Sequence, residues 1–200
     1  MTGSGESGAA SARLAPRLDG ERVRRTLRAR LAGRALDEPP RGGRPSAVLI
    51  PLFERDGEAH ALLVRRTRAL RSHSGQVAFP GGKCEPEDPS PLATALREAE
   101  EEIGLPAARV EVLGRLDDHS TITRFAIAPF VAWLAAEAIA DWKPVPSAAE
   151  VARIFAAPLR VFLAPPGGLP PMRGYRVDGE LVWGATARIA RDLARLVVAK

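Results

Sequence analysis

A short glycine-rich turn feeding a glutamate-crowded helix most constrains how this chain can fold. Gly81-Gly82 and Lys83-Cys84 lead into a segment that ends Arg97-Glu98-Ala99-Glu100-Glu101-Glu102-Ile103-Gly104-Leu105. Ser90 with Pro91 supplies an N-cap and first helical residue, and Gly104 supplies a left-handed stop. Leu92, Ala95, Leu96, Ala99 and Ile103 recur at helical spacing and form one apolar stripe. Beside it, Glu98, Glu101 and Glu102 fall within an arc of roughly 100°, while Glu100 points away. Glu98 repels Glu101 and Glu102 at helical contact spacing, at about 0.2–0.5 kcal/mol per pair. The anions also crowd the negative end of the helix dipole. A divalent cation reverses both penalties, so three carboxylates are expected to converge on a metal. Arg97, one turn before Glu101, is placed to hold that carboxylate.

The rest of the chain reads as a β-rich body around this helix. Residues 47–53 and 60–65 flank an Asp56-Gly57 turn, and 175–177 with 181–183 flank Asp178-Gly179, giving two hairpins. Short strands are expected over 76–79, 109–116 and 124–134, and a final helix over 185–198. Ser147-Ala148-Ala149-Glu150 has capping-box spacing, which predicts a helix over 151–156 and makes Glu150 a cap in preference to a metal ligand or base. Mixed strands with embedded helices predict an α/β sandwich.

Charge divides the chain. Residues 1–45 hold ten arginines against five acidic residues, whereas the remainder is balanced at nineteen of each. The basic character therefore belongs to the N-terminal region and argues little for a nucleic-acid-binding body. Residues 1–17 are expected to be disordered, and 37–45 read as a Pro/Gly linker. Between them, 18–32 predicts a helix that docks by Val23, Leu27 and Leu31 in preference to lying on a membrane or RNA. This gives a tail (1–17), a basic helix with linker (18–43) and one catalytic domain (44–198). Cys84 is the only cysteine, which excludes an intrachain disulfide and fits a reducing compartment. No secretory signal is visible, and the apolar run 125–136 is too short to span a bilayer, so a cytoplasmic protein without membrane contact is expected.

A glycine loop followed by several helical carboxylates suits Mg²⁺ shared between protein and substrate phosphates, which predicts phosphoanhydride hydrolysis. His60, His73 and His119 are scattered, and no nucleophile elbow competes.

Residues 97–105 resemble the tail of the Nudix box, REuxEExGu, where u is a bulky apolar residue; Ala99 is small for its position. Asp88 stands where the box has its first glutamate, and the interval from Gly82 to Arg97 is one residue longer than the general pattern. These departures resemble the coenzyme A pyrophosphatase branch. So does Leu62-Leu63-Val64-Arg65-Arg66-Thr67, followed by Arg71, Gly75 and Phe79-Pro80-Gly81-Gly82, which is similar to that branch's LLTxRS…RxxxGxxxFPGG motif. Glu150-Val151, Pro158-Leu159 and Trp183 to Ala187 add to the likeness.

The resemblance implies a Nudix α/β/α sandwich with a mixed β-sheet. It implies Mg²⁺- or Mn²⁺-dependent hydrolysis of coenzyme A or its thioesters to 3′,5′-ADP and 4′-phosphopantetheine or its acyl form. Glu98 and Glu102 would be the main metal ligands, with Glu101 a further ligand or the base for the attacking water. Arg97 would orient the glutamates, the Gly82 loop would give a backbone carbonyl to a metal, and Gly81 and Gly82 would line the substrate. Arg66, Arg71, His73, Gly75 and Gln76 would serve the coenzyme A end. Another nucleoside diphosphate derivative, ADP-ribose or NADH, is the alternative substrate; an RNA-end-processing factor and a non-catalytic nucleotide sensor are more distant readings. Nucleic acid is not expected as a partner, and a homodimer is left open.

Overall fold

The computed structural model describes residues 15–67, 75–140, 142–170 and 172–199. Strand β1 (Arg44–Arg55) turns through Asp56-Gly57 into β2 (Glu58–Arg66). Both turn residues have positive φ, 53° and 72°, as a two-residue hairpin of matching twist requires. Two short strands, β3 (Val77–Ala78) and β4 (Gly81–Lys83), precede helix α2 (Pro91–Ile103), which follows the N-terminal helix α1 (Gly20–Leu31). Then come β5 (Glu111–Arg115), β6 (His119–Ser120), β7 (Phe125–Trp133), the short α3 (Ala136–Ala140) and β8 (Val151–Pro158). A second hairpin, β9 (Gly174–Val177) and β10 (Glu180–Trp183), leads into the last helix, α4 (Gly184–Val198).

The main sheet has eight strands along the path β3-β2-β1-β7-β5, with β4 paired to β1, β6 to β7 and β8 to β2. It is mixed: β1 runs parallel to β7, with Leu49 opposite Phe130, and antiparallel to β2. Alternation along β1 sends Ala47, Leu49 and Phe53 to one face and Ile50 and Leu52 to the other. The first face packs on α2 through Ala95, Ala99 and Ile103; the second packs on α1 and α4 through Leu27, Leu31, Ile189 and Leu193. Helices thus cover both faces, which explains why 47–53 is apolar nearly throughout. The result is the expected α/β/α sandwich.

Helix α1 buries Val23, Leu27 and Leu31 almost completely. Arg24 and Arg28 pair with Glu111 of β5, and Arg30 donates to the carbonyls of Leu196 and Ala199 at the end of α4. Its arginines therefore tie the helix to the body. Among the described residues no helix is long and apolar enough to cross a membrane.

One expected element is different. Residues 151–156 form strand β8, not a helix, with Leu62 opposite Ala156 and Val64 opposite Ile154. The Ser147 carbonyl takes the amides of Glu150 and Val151 in a turn, and pairing with β2 then extends the chain. The capping-box spacing carried no information about that distant partner.

Candidate active site

Helix α2 begins and ends as its sequence directs. The Ser90 side chain accepts from the Ala93 amide, and Gly104 takes the left-handed conformation at φ 66° and ψ 32°. The helix bonds run on to Gly104 and Leu105, whose amides reach Glu100 and Ala99 carbonyls. With the ends fixed and Ala95, Ala99 and Ile103 pressed on the sheet, Glu98 and Glu102 are delivered one turn apart beside β4.

Strand β4 receives them through its glycines. The Gly81 amide donates to Oε2 of Glu102 at 3.1 Å. A Cβ on Gly82 would come within 2.4 Å of the Glu98 carboxylate, so the missing side chain makes room for it.

Arg97 organises the other side. Its Nε and Nη2 meet Asp88 Oδ1 and Oδ2, both at 3.0 Å, while Nη1 reaches Glu98 Oε1 at 2.9 Å and Glu101 Oε2 at 3.1 Å. The link from Arg97 to Glu101 is the one the spacing predicts. Glu101 remains 60% exposed, at the rim. Asp88 acquires a definite job: with 8% of its side chain exposed, it also accepts from the Glu85 amide and the Thr94 hydroxyl. The fork to Arg97 is the main cause holding its carboxyl well below the ordinary range.

Two further groups close the cluster. Arg66 Nη1 donates to Glu102 Oε1 at 2.9 Å, and its Nη2 lies 3.7 Å from Glu150 Oε2. Glu150, expected as a helix cap, instead sits close enough to raise the proton affinity of both Glu98 and Glu102. The capping-box spacing masked it; the Glu150-Val151 likeness to the coenzyme A branch was the available signal.

The electrostatics follow from burial. The Glu102 side chain is 1% exposed, and desolvation pushes its carboxyl up to about 7 against the favourable pull of Arg66 and the Gly81 amide. Desolvation also raises Glu98, opposed by Arg97. One buried and one half-buried carboxylate whose ionisation desolvation opposes, backed by a glycine cradle, form an all-oxygen donor set that suits Mg²⁺ or Mn²⁺. Among the described residues no three acidic, histidine or cysteine side chains form a finished cage. Magnesium commonly takes only one or two protein carboxylates, so the donor set still fits.

Of the other residues singled out in the sequence, Gly81 and Gly82 line the carboxylates, and Gly75 and Gln76 lie on the return from β2. The Gln76 carbonyl accepts from the Arg66 amide, and the Gly75 amide donates to Thr67. Arg71 and His73 lie outside the described residues. His119 is turned toward α4, with Nε2 3.7 Å from Asp192. Cys84 packs against the sheet face that α2 covers.

The NUDIX domain family matches residues 43–171. The chain is 38% identical to the uncharacterized Nudix hydrolase NudL of Photorhabdus laumondii, over 81% of this chain and 91% of that protein. It is 40% identical to the corresponding NudL of Yersinia pestis, over 77% and 80% of the two chains. Among solved structures, the MutT protein of Methanosarcina mazei superposes with a TM-score of 0.53 at 19% identity, covering 77% of this chain and 94% of that one. The NUDIX domain of Shewanella oneidensis NrtR, complexed with ADP ribose, gives 0.53 at 16% identity over 77% and 87%. At such identities the structures speak for the fold alone. A 129-residue family match laid over a sheet, a glycine strand and a carboxylate helix that assemble one site leaves a single conclusion: this chain belongs to the Nudix hydrolase family.

Proposed function

We propose that this chain hydrolyses the pyrophosphate bond of coenzyme A or its thioesters, releasing 3′,5′-ADP and 4′-phosphopantetheine or its acyl form. The observation that carries the reading is a convergence on one carboxylate. Glu102, from the family's box, is bonded by both Arg66 and the Gly81 amide, which come from the two ends of the motif resembling the coenzyme A branch. The reading is supported by this meeting of the motif and the box on one side chain.

In this reading Glu98 and Glu102 hold Mg²⁺ or Mn²⁺, with Glu101 at the rim as a further ligand or the base for the attacking water. The metal, when bound, supplies charge stabilisation to the phosphate oxygens and an acidified water. Arg97, anchored by Asp88, holds Glu98 and Glu101 in place. Glu150 is a second group placed to accept the proton of the attacking water. Arg71 and His73 remain proposed contacts of the coenzyme A end, and the cytoplasm the proposed site of action.

A second substrate class has its own support: the NrtR domain that shares the fold holds ADP ribose. Purified protein incubated with Mg²⁺ and coenzyme A, dephospho-coenzyme A, ADP-ribose, NADH or nucleoside triphosphates in ¹⁸O-water separates the two. Preferential release of 3′,5′-ADP from coenzyme A supports the proposal. Equal turnover of ADP-ribose, or indifference to the 3′-phosphate, replaces it with a general dinucleotide pyrophosphatase.

A further inference from the structure

The proposed metal site contains a competitor for the metal, and the inference drawn from it rests on that proposal. Arg66 Nη1 already holds Glu102 Oε1 at 2.9 Å and the Gly81 amide holds Oε2 at 3.1 Å, so a dication meets a hydrogen bond on either oxygen, while Arg66 Nη2 faces Glu150 at 3.7 Å. The guanidinium is partly accessible, with 22% of the side chain exposed, whereas Glu102 is shut away.

Backbone geometry fixes this junction from three sides. The β2–β8 register slips between Arg65 and Arg66, so that Arg65 opposes Arg153 but Arg66 opposes Val151. Such irregularities re-aim side chains. Here Arg65 goes to Glu180 at 3.2 Å and Arg66 to the carboxylates. Directly after it, the Thr67 amide and hydroxyl bind the carbonyls of Glu150 and Ala149 at 2.8 and 2.9 Å. From the other direction, the amides of Val145 and Ser147 bind the Ile103 and Glu102 carbonyls at the end of α2. The stretch that carries Glu150 is thereby stitched to both the glutamate helix and the arginine strand.

The geometry points to Arg66 as an exchangeable counter-ion. It neutralises Glu102 and Glu150, yields the Glu102 oxygen when a dication arrives, and turns its freed N–H groups to the substrate's phosphates. A guanidinium and a dication cannot share one carboxylate oxygen at contact distance without strong mutual repulsion. The planar fork that spans two carboxylates can equally pair with two phosphate oxygens, which a lysine ammonium meets only as a point charge. Glu150 would keep the displaced guanidinium at the mouth of the site. Metal binding would then prepare phosphate binding, and by linkage the nucleotide would favour the metal in return.

The test uses the full chain and two probes, Mn²⁺ alone and ADP at saturating Mn²⁺. Free Mn²⁺ is read from its electron paramagnetic resonance signal and ADP binding by calorimetry. Arg66→Gln is expected to bind Mn²⁺ about tenfold tighter than wild type and ADP about tenfold more weakly, each a change of about 1.4 kcal/mol. Opposite signs are the signature. Mn²⁺ affinity unchanged or reduced in the variant would make Arg66 a fixed brace of Glu102 and overturn the inference, as would unchanged ADP binding. Should Arg66→Gln fail to fold, Arg66→Lys carries the ADP arm of the test, because it loses the fork but keeps the charge. Its Mn²⁺ affinity should stay near that of wild type while ADP binding weakens about tenfold, and unchanged ADP binding would count against exchange. No Mn²⁺ binding by wild type removes the proposed metal site and the inference together. Normal Mn²⁺ behaviour without coenzyme A cleavage removes only the substrate.

Discussion

Asp88 receives the guanidinium of Arg97 on both of its oxygens, each at 3.0 Å, and by that contact holds the arginine against Glu98 and Glu101. Asp88 stands where the family's box has glutamate. The shorter side chain works here because Thr94 and the Glu85 amide fasten it from behind.

Asp88→Ala should therefore act on stability and catalysis together. Losing a buried, charge-assisted contact costs about 1–3 kcal/mol, readable by urea denaturation at pH 7. Loosening the ligands' support should lower turnover about 10–100-fold. Because the Asp88 carboxyl titrates below its unfolded value, its contribution is complete above that value and disappears as pH falls through the folded one. The stability gap between variant and wild type should accordingly shrink below about pH 4. A gap that persists in acid would assign Asp88 a packing role.

Glu102 has the opposite sign. Its folded carboxyl titrates near about 7, above the unfolded value, so it favours the fold at low pH and ceases to do so as pH rises through 7. With metal chelated, wild type should lose up to about 3 kcal/mol between pH 4.5 and 7.5 that Glu102→Gln does not lose. The same proton must leave before a metal can bind, so Mn²⁺ binding near pH 6 should release a proton. Calorimetry in buffers of different ionisation enthalpy reads that release; a buffer-independent enthalpy would mean that Glu102 is already ionised.

Helix α2 was legible because its instructions are local: Ser90, Pro91 and Gly104 act within a turn of themselves, and the apolar stripe needs no knowledge of its partner. Glu150 was misread for the complementary reason. Its S-x-x-E spacing is a local signal, but β8 is decided by β2, some ninety residues earlier at Leu62 and Val64. Arg66 was marked as a site residue from its motif, and the structure sets its guanidinium against Glu102. That it turns inward to Glu102 depends on the slipped register of β2 and β8, which no single segment encodes.

Gly81 and Gly82 should respond differently to alanine. At Gly81, φ is 155° and a Cβ would lie 2.3 Å from the Ala47 carbonyl, a backbone atom that cannot step aside. Gly81→Ala should be destabilised by about 2 kcal/mol or more and yield little folded protein. At Gly82 the obstruction is the end of a side chain, the Glu98 carboxylate at 2.4 Å. Gly82→Ala should keep its melting temperature within a few degrees and lose Mn²⁺ affinity, because Glu98 is the group that moves. Normal metal binding in Gly82→Ala would take Glu98 out of the ligand set.

The family match begins at residue 43, yet α1, which precedes it, sits in the same core as α4. Leu27 is fully buried there, and Leu27→Ala should cost about 2–5 kcal/mol in urea denaturation. Removing residues 1–43 would take Val23, Leu27 and Leu31 out of the core, so a truncated protein that fails on capped RNA would report lost folding before it reported lost RNA contact. Charge reversal separates the two. Arg22 and Arg25 are exposed, and reversing both leaves the buried edge intact. If the basic helix serves only to dock, turnover of coenzyme A by the double variant stays within about twofold of wild type, as surface changes of this kind permit. A steep loss that also varies with salt would show that the arm recruits a polyanion.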